Sequence, residues 1–92
     1  MKTIYKYNCN ILRNTFKVNG FIKILSVMEQ NENIVFYILV DTDSNKETTI
    51  EYEIIGTGHP INDDVAENFD FIGTIGMRNG EFMFHAFAKV IQ

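Results

Sequence analysis

Apolar and polar positions alternate with a period of two along most of this chain. Residues 47–55 show it best: Ile50, Tyr52 and Ile54 share one face, and Thr49, Glu51 and Glu53 share the other. That is the pattern of a half-buried strand. Residues 2–7, Lys-Thr-Ile-Tyr-Lys-Tyr, alternate and are rich in β-formers, which predicts a first strand ending in a turn at Asn8-Cys9-Asn10. Residues 14–18 and 21–29 read as two further strands. Asn19-Gly20 between them suits a two-residue hairpin, because both residue types tolerate positive φ, and Val18 then faces Phe21. Gln30-Asn31-Glu32-Asn33 makes the next turn. Residues 34–40, Ile-Val-Phe-Tyr-Ile-Leu-Val, are apolar throughout. Their length and their β-branched and aromatic content predict a central strand buried on both faces rather than a helix.

The last two strands meet at Asn79-Gly80. Taking these as the central residues of a two-residue turn pairs Met77 with Phe82, Ile75 with Phe84, Gly73 with Ala86, Phe71 with Ala88 and Phe69 with Val90. That face is entirely apolar. The opposite face pairs Arg78 with Glu81, Gly76 with Met83, Thr74 with His85, Ile72 with Phe87 and Asp70 with Lys89, matching opposite charges at two places. Asn62-Asp63-Asp64-Val65-Ala66-Glu67 predicts one helical turn, capped by Asn62 with aspartates at its positive end. The predicted fold is all-β: about seven short strands in a small antiparallel barrel or two-layer sandwich, with at most one short helical turn near residues 62–67.

Composition narrows the function classes. The 92 residues fit one domain, 1–92, and 46% apolar content supports a packed core. The net charge of −4 comes from scattered residues, which argues against nucleic-acid binding and is too weak for an acidic DNA mimic. One cysteine, Cys9, rules out an internal disulfide and suits a reducing cytoplasm. The first twenty residues hold no continuous apolar block, and the longest apolar run falls far short of the ~20 residues of a membrane-spanning helix. A cytoplasmic protein without membrane attachment is the expectation.

Candidate chemistry gathers around Gly56-Thr57-Gly58-His59-Pro60. Successive N–H groups there suit an anion-binding nest with His59 as a further donor, fit for a phosphate or a small nucleotide. The structural alternative is a tight turn, with glycine supplying positive φ and Pro60 holding His59 extended. A phosphate loop is excluded, because its lysine and following long helix are missing. Asp41-Thr42-Asp43-Ser44-Asn45-Lys46 resembles a calcium loop, but Lys46 stands where glycine is needed and Tyr52 where the closing glutamate is needed, so a solvated turn is the reading. His59, Asp63 and Asp64 make a weak metal set, and no metal or cofactor is assigned. His85 lies beside Thr74 in the register, with no carboxylate to orient it, and reads as a half-buried, hydrogen-bonded histidine rather than a base. Ile72, Thr74, Met83, His85 and Phe87 form a face too apolar to be fully wet, a candidate interface for another protein or a second copy.

Ile24-Leu25-Ser26-Val27, Leu39-Val40-Asp41, Ile55-Gly56-Thr57-Gly58-His59-Pro60-Ile61, Phe71-Ile72-Gly73-Thr74 and Phe84-His85 together resemble a family of short bacteriophage and prophage proteins of unknown function. Gly-Thr-Gly-His-Pro-Ile is the most specific piece. Members carry tryptophans in the central strand and before the last-strand histidine, places filled here by Phe36 or Tyr37 and by Phe84. The resemblance implies a non-enzymatic phage accessory protein acting by binding in the bacterial cytoplasm, as an inhibitor of a host anti-phage defence protein. The first alternative is a small-ligand binder, such as a nucleotide-signal sponge, using the Gly56–Pro60 loop and a homo-oligomer interface. The second is a small hydrolase or lyase using His59 or His85.

Overall fold

The structure, a computed structural model, describes residues 1–9 and 12–91. Its strands are β1 (Lys2–Cys9), β2 (Arg13–Asn19), β3 (Phe21–Gln30), β4 (Asn33–Asp41), β5 (Glu47–Gly56), β6 (Asp70–Met77) and β7 (Phe82–Val90), with one short helix, α1 (Asp63–Asn68), between β5 and β6. They form two antiparallel sheets, ordered β1-β4-β3 and β2-β5-β7-β6. The fold is an all-β sandwich, not a closed barrel. Among the described residues no helix is long and apolar enough to cross a membrane.

The core follows the alternation. Thr48, Ile50, Tyr52 and Ile54 of β5 point inward and are buried. Glu51 and Glu53 face out, where Arg13 of β2 lies 3.4 Å and 3.7 Å from their carboxylates. Phe36 at the middle of β4 is fully buried and meets Tyr52 of the other sheet edge-on, with ring centroids 5.7 Å apart. Phe16 of β2 lies 5.8 Å from Tyr52 and stacks on Tyr7 at 5.2 Å.

Three local expectations are corrected. β1 runs straight through Asn8 and Cys9, so no turn forms there; Asn10 lies outside the described residues. Asn19-Gly20 is not a hairpin. β2 pairs with β5 and β3 with β4, so the chain changes sheets at Gly20, and Val18 and Phe21 are not paired. The turn expected at Gln30–Asn33 does form, as a tight two-residue loop with Asn31 and Glu32 both at positive φ (52° and 65°) closing the Gln30–Asn33 pair. β4 is central, as expected, but no layer covers its outer face. Val35 is buried there, and Tyr37 and Leu39 are half-buried.

The β6–β7 register holds from Met77–Phe82 to Gly73–Ala86 and then slips. An extra residue at Ile72 pairs Phe71 with Phe87 and Asp70 with Ala88, and turns Ile72 onto the core. The loop is four residues, 78–81, with Arg78, Asn79 and Gly80 all at positive φ. Neither expected charge pair forms the local contact. Arg78 Nε sits 3.6 Å from Glu32, and Lys89 Nζ lies 6.0 Å from the ring centroid of Phe69.

Cys9 faces this core opposite Ile34, and burial pushes its thiol up to about 12, against a smaller opposing hydrogen bond from Tyr52. In the unfolded chain a thiol ionises near ~8.5. The raised folded value therefore contributes stability in full below ~8.5, lost as pH climbs toward 12 at up to ~1.4 kcal/mol per pH unit. Urea unfolding at pH 7 and pH 10.5 will show the wild type losing up to about 2.7 kcal/mol more than Cys9→Ala. Equal losses would mean that the thiol is not buried as described.

Candidate functional site

α1 is set by local rules. The side chain of Asn62 accepts a hydrogen bond from the Asp64 N–H at 2.8 Å, and Asp63 and Asp64 occupy the first turn, as the sequence predicts. Val65 and Phe69 are buried against Ile55 and Phe87, which lays the helix over one end of the four-stranded sheet's outer face.

Between β5 and α1 runs the Gly56–Pro60 loop. The Thr57 N–H donates to the Met83 carbonyl at 3.2 Å, and the His59 N–H donates to the Gly56 carbonyl at 3.1 Å. A nest needs those N–H groups free, so the anion-binding arrangement expected here is not formed. Gly58 takes φ +85°, and the His59 ring folds back over Gly56, where a β-carbon would stand 3.3 Å from Nδ1. The tight-turn reading describes this backbone.

Both histidines meet in one cleft of about 260 Å³. Gly56–His59 and Ile61 border it on the loop side, Ile55, His85 and Phe87 on the sheet, and Phe71 on β6. Pro60 is exposed and does not border it. His85 is held by two hydroxyls: Nε2 lies 2.8 Å from Thr57 Oγ1, and Nδ1 lies 3.0 Å from Thr74 Oγ1. A hydroxyl both donates and accepts, so either neutral tautomer is satisfied. Neither of these contacts is a carboxylate, which a triad would place on the imidazole to orient it.

Of the five residues expected to form an interface, Thr74 and Met83 are exposed and His85 and Phe87 are half-buried. α1 covers part of Phe87. Ile72 is the correction: the bulge turns it inward, away from that face. Among the described residues no group of three His, Cys, Asp or Glu side chains gathers. Asp64 instead accepts from Asn68 at 2.6 Å. Asp41 Oδ1 accepts from the Asp43 N–H at 3.0 Å, and that bond leads in holding the carboxyl below its ordinary range.

A second feature escapes the sequence pattern. Ile4 and Met28 on the outer face of β1-β4-β3, and Ile22 and Leu25 at the bulges of its edge strand β3, are between 38% and 53% exposed. Two bulges in β3, at Ile22 and Leu25, send Phe21, Ile24 and Val27 inward at every third residue and leave the intervening apolar residues outside. The signal was present in β3 itself, which is apolar on both faces, more than a half-buried strand requires. Lys2, Lys6 and Lys23 share that outer face by register, with Asp41 beside them.

No curated protein and no solved structure matches the chain. One family model does, from residue 1 to residue 92, across both sheets, the cleft and the lysine-edged face. The chain therefore belongs to the DUF7352 family, a domain of unknown function.

Proposed function

We propose that this chain acts by binding another protein, without catalysis, and that the partner's surface is acidic around an apolar centre. One observation carries the reading. Ile4 and Met28 stand exposed on a sheet face that also carries Lys2, Lys6 and Lys23, with Ile22 and Leu25 exposed at the bulges of its edge strand, in a protein whose net charge is −4. Exposed apolar patches ringed by one sign of charge suit complementary partners. A second copy fits less well, since two such faces bring lysines toward lysines with only Asp41 to compensate. The hydroxyl partners of His85 support a non-enzymatic role. The resemblance to phage and prophage proteins supports an accessory role in the bacterial cytoplasm, as an inhibitor of a host defence protein.

Capture from bacterial lysate tests this with wild type, Leu25→Asp and Met28→Asp side by side. A specific acidic partner should be held by the wild type and lost by both variants. Its retention should fall between 0.1 M and 1 M salt, as the screening length drops from about 10 Å to about 3 Å. A partner indifferent to both substitutions, or none, removes the reading. A wild-type dimer in light scattering that Leu25→Asp makes monomeric would put a second copy on the face instead. In cells with an active anti-phage system, expression of the wild type but not Leu25→Asp should raise plaque counts.

A further inference from the structure

The structure assigns to the cleft between the Gly56–Ile61 loop and β6–β7 a binding site for one flat heteroaromatic ring of nucleobase size. This site is separate from the lysine-edged face. The bulge at Ile72 makes it. An unbroken ladder would bury Phe71 opposite Ala88; the bulge instead pairs it with Phe87 and leaves it 57% exposed. Bulges next to functional sites commonly re-aim a side chain in this way. Phe71 stands edge-on to Phe87, centroids 5.4 Å apart and planes at 61°, so the pair presents an aromatic corner to the cleft. The imidazoles of His59 and His85 border the same space.

Size and polarity select the ligand. A cavity of ~150 Å³ accepts benzene, and drug-sized ligands occupy roughly 300 Å³ or more. A cleft of about 260 Å³ therefore has room for one ring system. Ile55, Phe71 and Phe87 offer aliphatic and π surface. The His59 imidazole offers hydrogen-bonding atoms at the loop side, while those of His85 are taken by Thr57 and Thr74. A ring with a polar edge satisfies both sides, while any sugar or phosphate stays in water outside. Stacking on aromatic side chains tolerates any base, because each has a π face.

The chain contains no tryptophan, so 2-aminopurine riboside can be excited without protein emission. Titration into the full chain should give saturable quenching below ~1 mM. Phe71→Ala should weaken binding by about tenfold or more, Phe71→Tyr should restore it, and His59→Ala should weaken it. Leu25→Asp should bind as the wild type does, so failure here and failure of the protein-binding reading are separate results. Phe71 lies at the surface, so its variants keep the fold, checked by circular dichroism. No saturable quenching up to ~1 mM, or equal binding by wild type and Phe71→Ala, overturns the assignment.

Discussion

Replacing Phe36 by alanine will cost about 3–5 kcal/mol of folding stability, the range for removing a fully buried phenylalanine. Phe36 is 0% exposed and stands between the sheets, edge-on to Tyr52 at 5.7 Å and tilted to Phe16 at 6.1 Å. Alanine there removes apolar burial, leaves a cavity and breaks both ring contacts. In a domain of this size, 1 kcal/mol shifts Tm by roughly 4–8 °C, so Tm should fall by about 12 °C or more. Phe71→Ala is the internal comparison. It removes the same side chain from a 57% exposed position whose one ring contact is Phe87, and should cost less than about 1.5 kcal/mol. Urea unfolding of both variants decides. Equal costs would mean that Phe71 is buried after all, as the unbulged register had it, and that Phe36 is not the centre of the core.

That contrast shows what the sequence made legible. Period-two alternation in β5 named its buried face residue by residue, because the strand is regular and one side meets water. Asn62 announced α1, because a cap is a local interaction. His85 beside Thr74 followed from counting back along a regular ladder from Met77–Phe82. The failures share one cause, an event that local pattern does not encode. The bulge at Ile72 inserts one residue and reverses the facing of everything before it, so Phe71 moved to the cleft and Ile72 to the core. Two bulges in β3 turned a period of two into a period of three, which left Ile22 and Leu25 exposed beside the inward Phe21, Ile24 and Val27. The convergence of His59 and His85 depends on β5 pairing with β7, a choice between non-adjacent strands. The nest expected at Gly56–Gly58 is interrupted because the Thr57 N–H is taken by the Met83 carbonyl on β7 and the His59 N–H by the Gly56 carbonyl.

The sheet change at Gly20 is the other place where one residue has a large effect, and two glycines measure it. Gly20 and Gly80 hold φ +70° and +84°, so a β-carbon at either brings the same left-handed penalty of about 1–2 kcal/mol. Alanine also restricts the unfolded chain equally at both positions, and that contribution cancels. Their surroundings differ. Nothing lies within 4 Å of a β-carbon at Gly80, whereas at Gly20 it would stand 2.1 Å from the Asp41 carbonyl oxygen, which is backbone and cannot swing away. Relief requires moving β3 from the end of β4. That motion breaks two hydrogen bonds: the Gly20 N–H to the Lys46 carbonyl, and the Asp41 N–H to the Gly20 carbonyl, both 2.8 Å. Gly20 is buried, so its N–H and its carbonyl, each left unpaired, cost about 1–3 kcal/mol apiece. Gly20→Ala should therefore lose about 3 kcal/mol or more, and Gly80→Ala about 1–2 kcal/mol, in urea unfolding at neutral pH. The difference between them isolates the corner itself. Equal losses would return Asn19-Gly20 to an ordinary exposed hairpin, with β2 and β3 side by side in one sheet and the two-sheet topology undone.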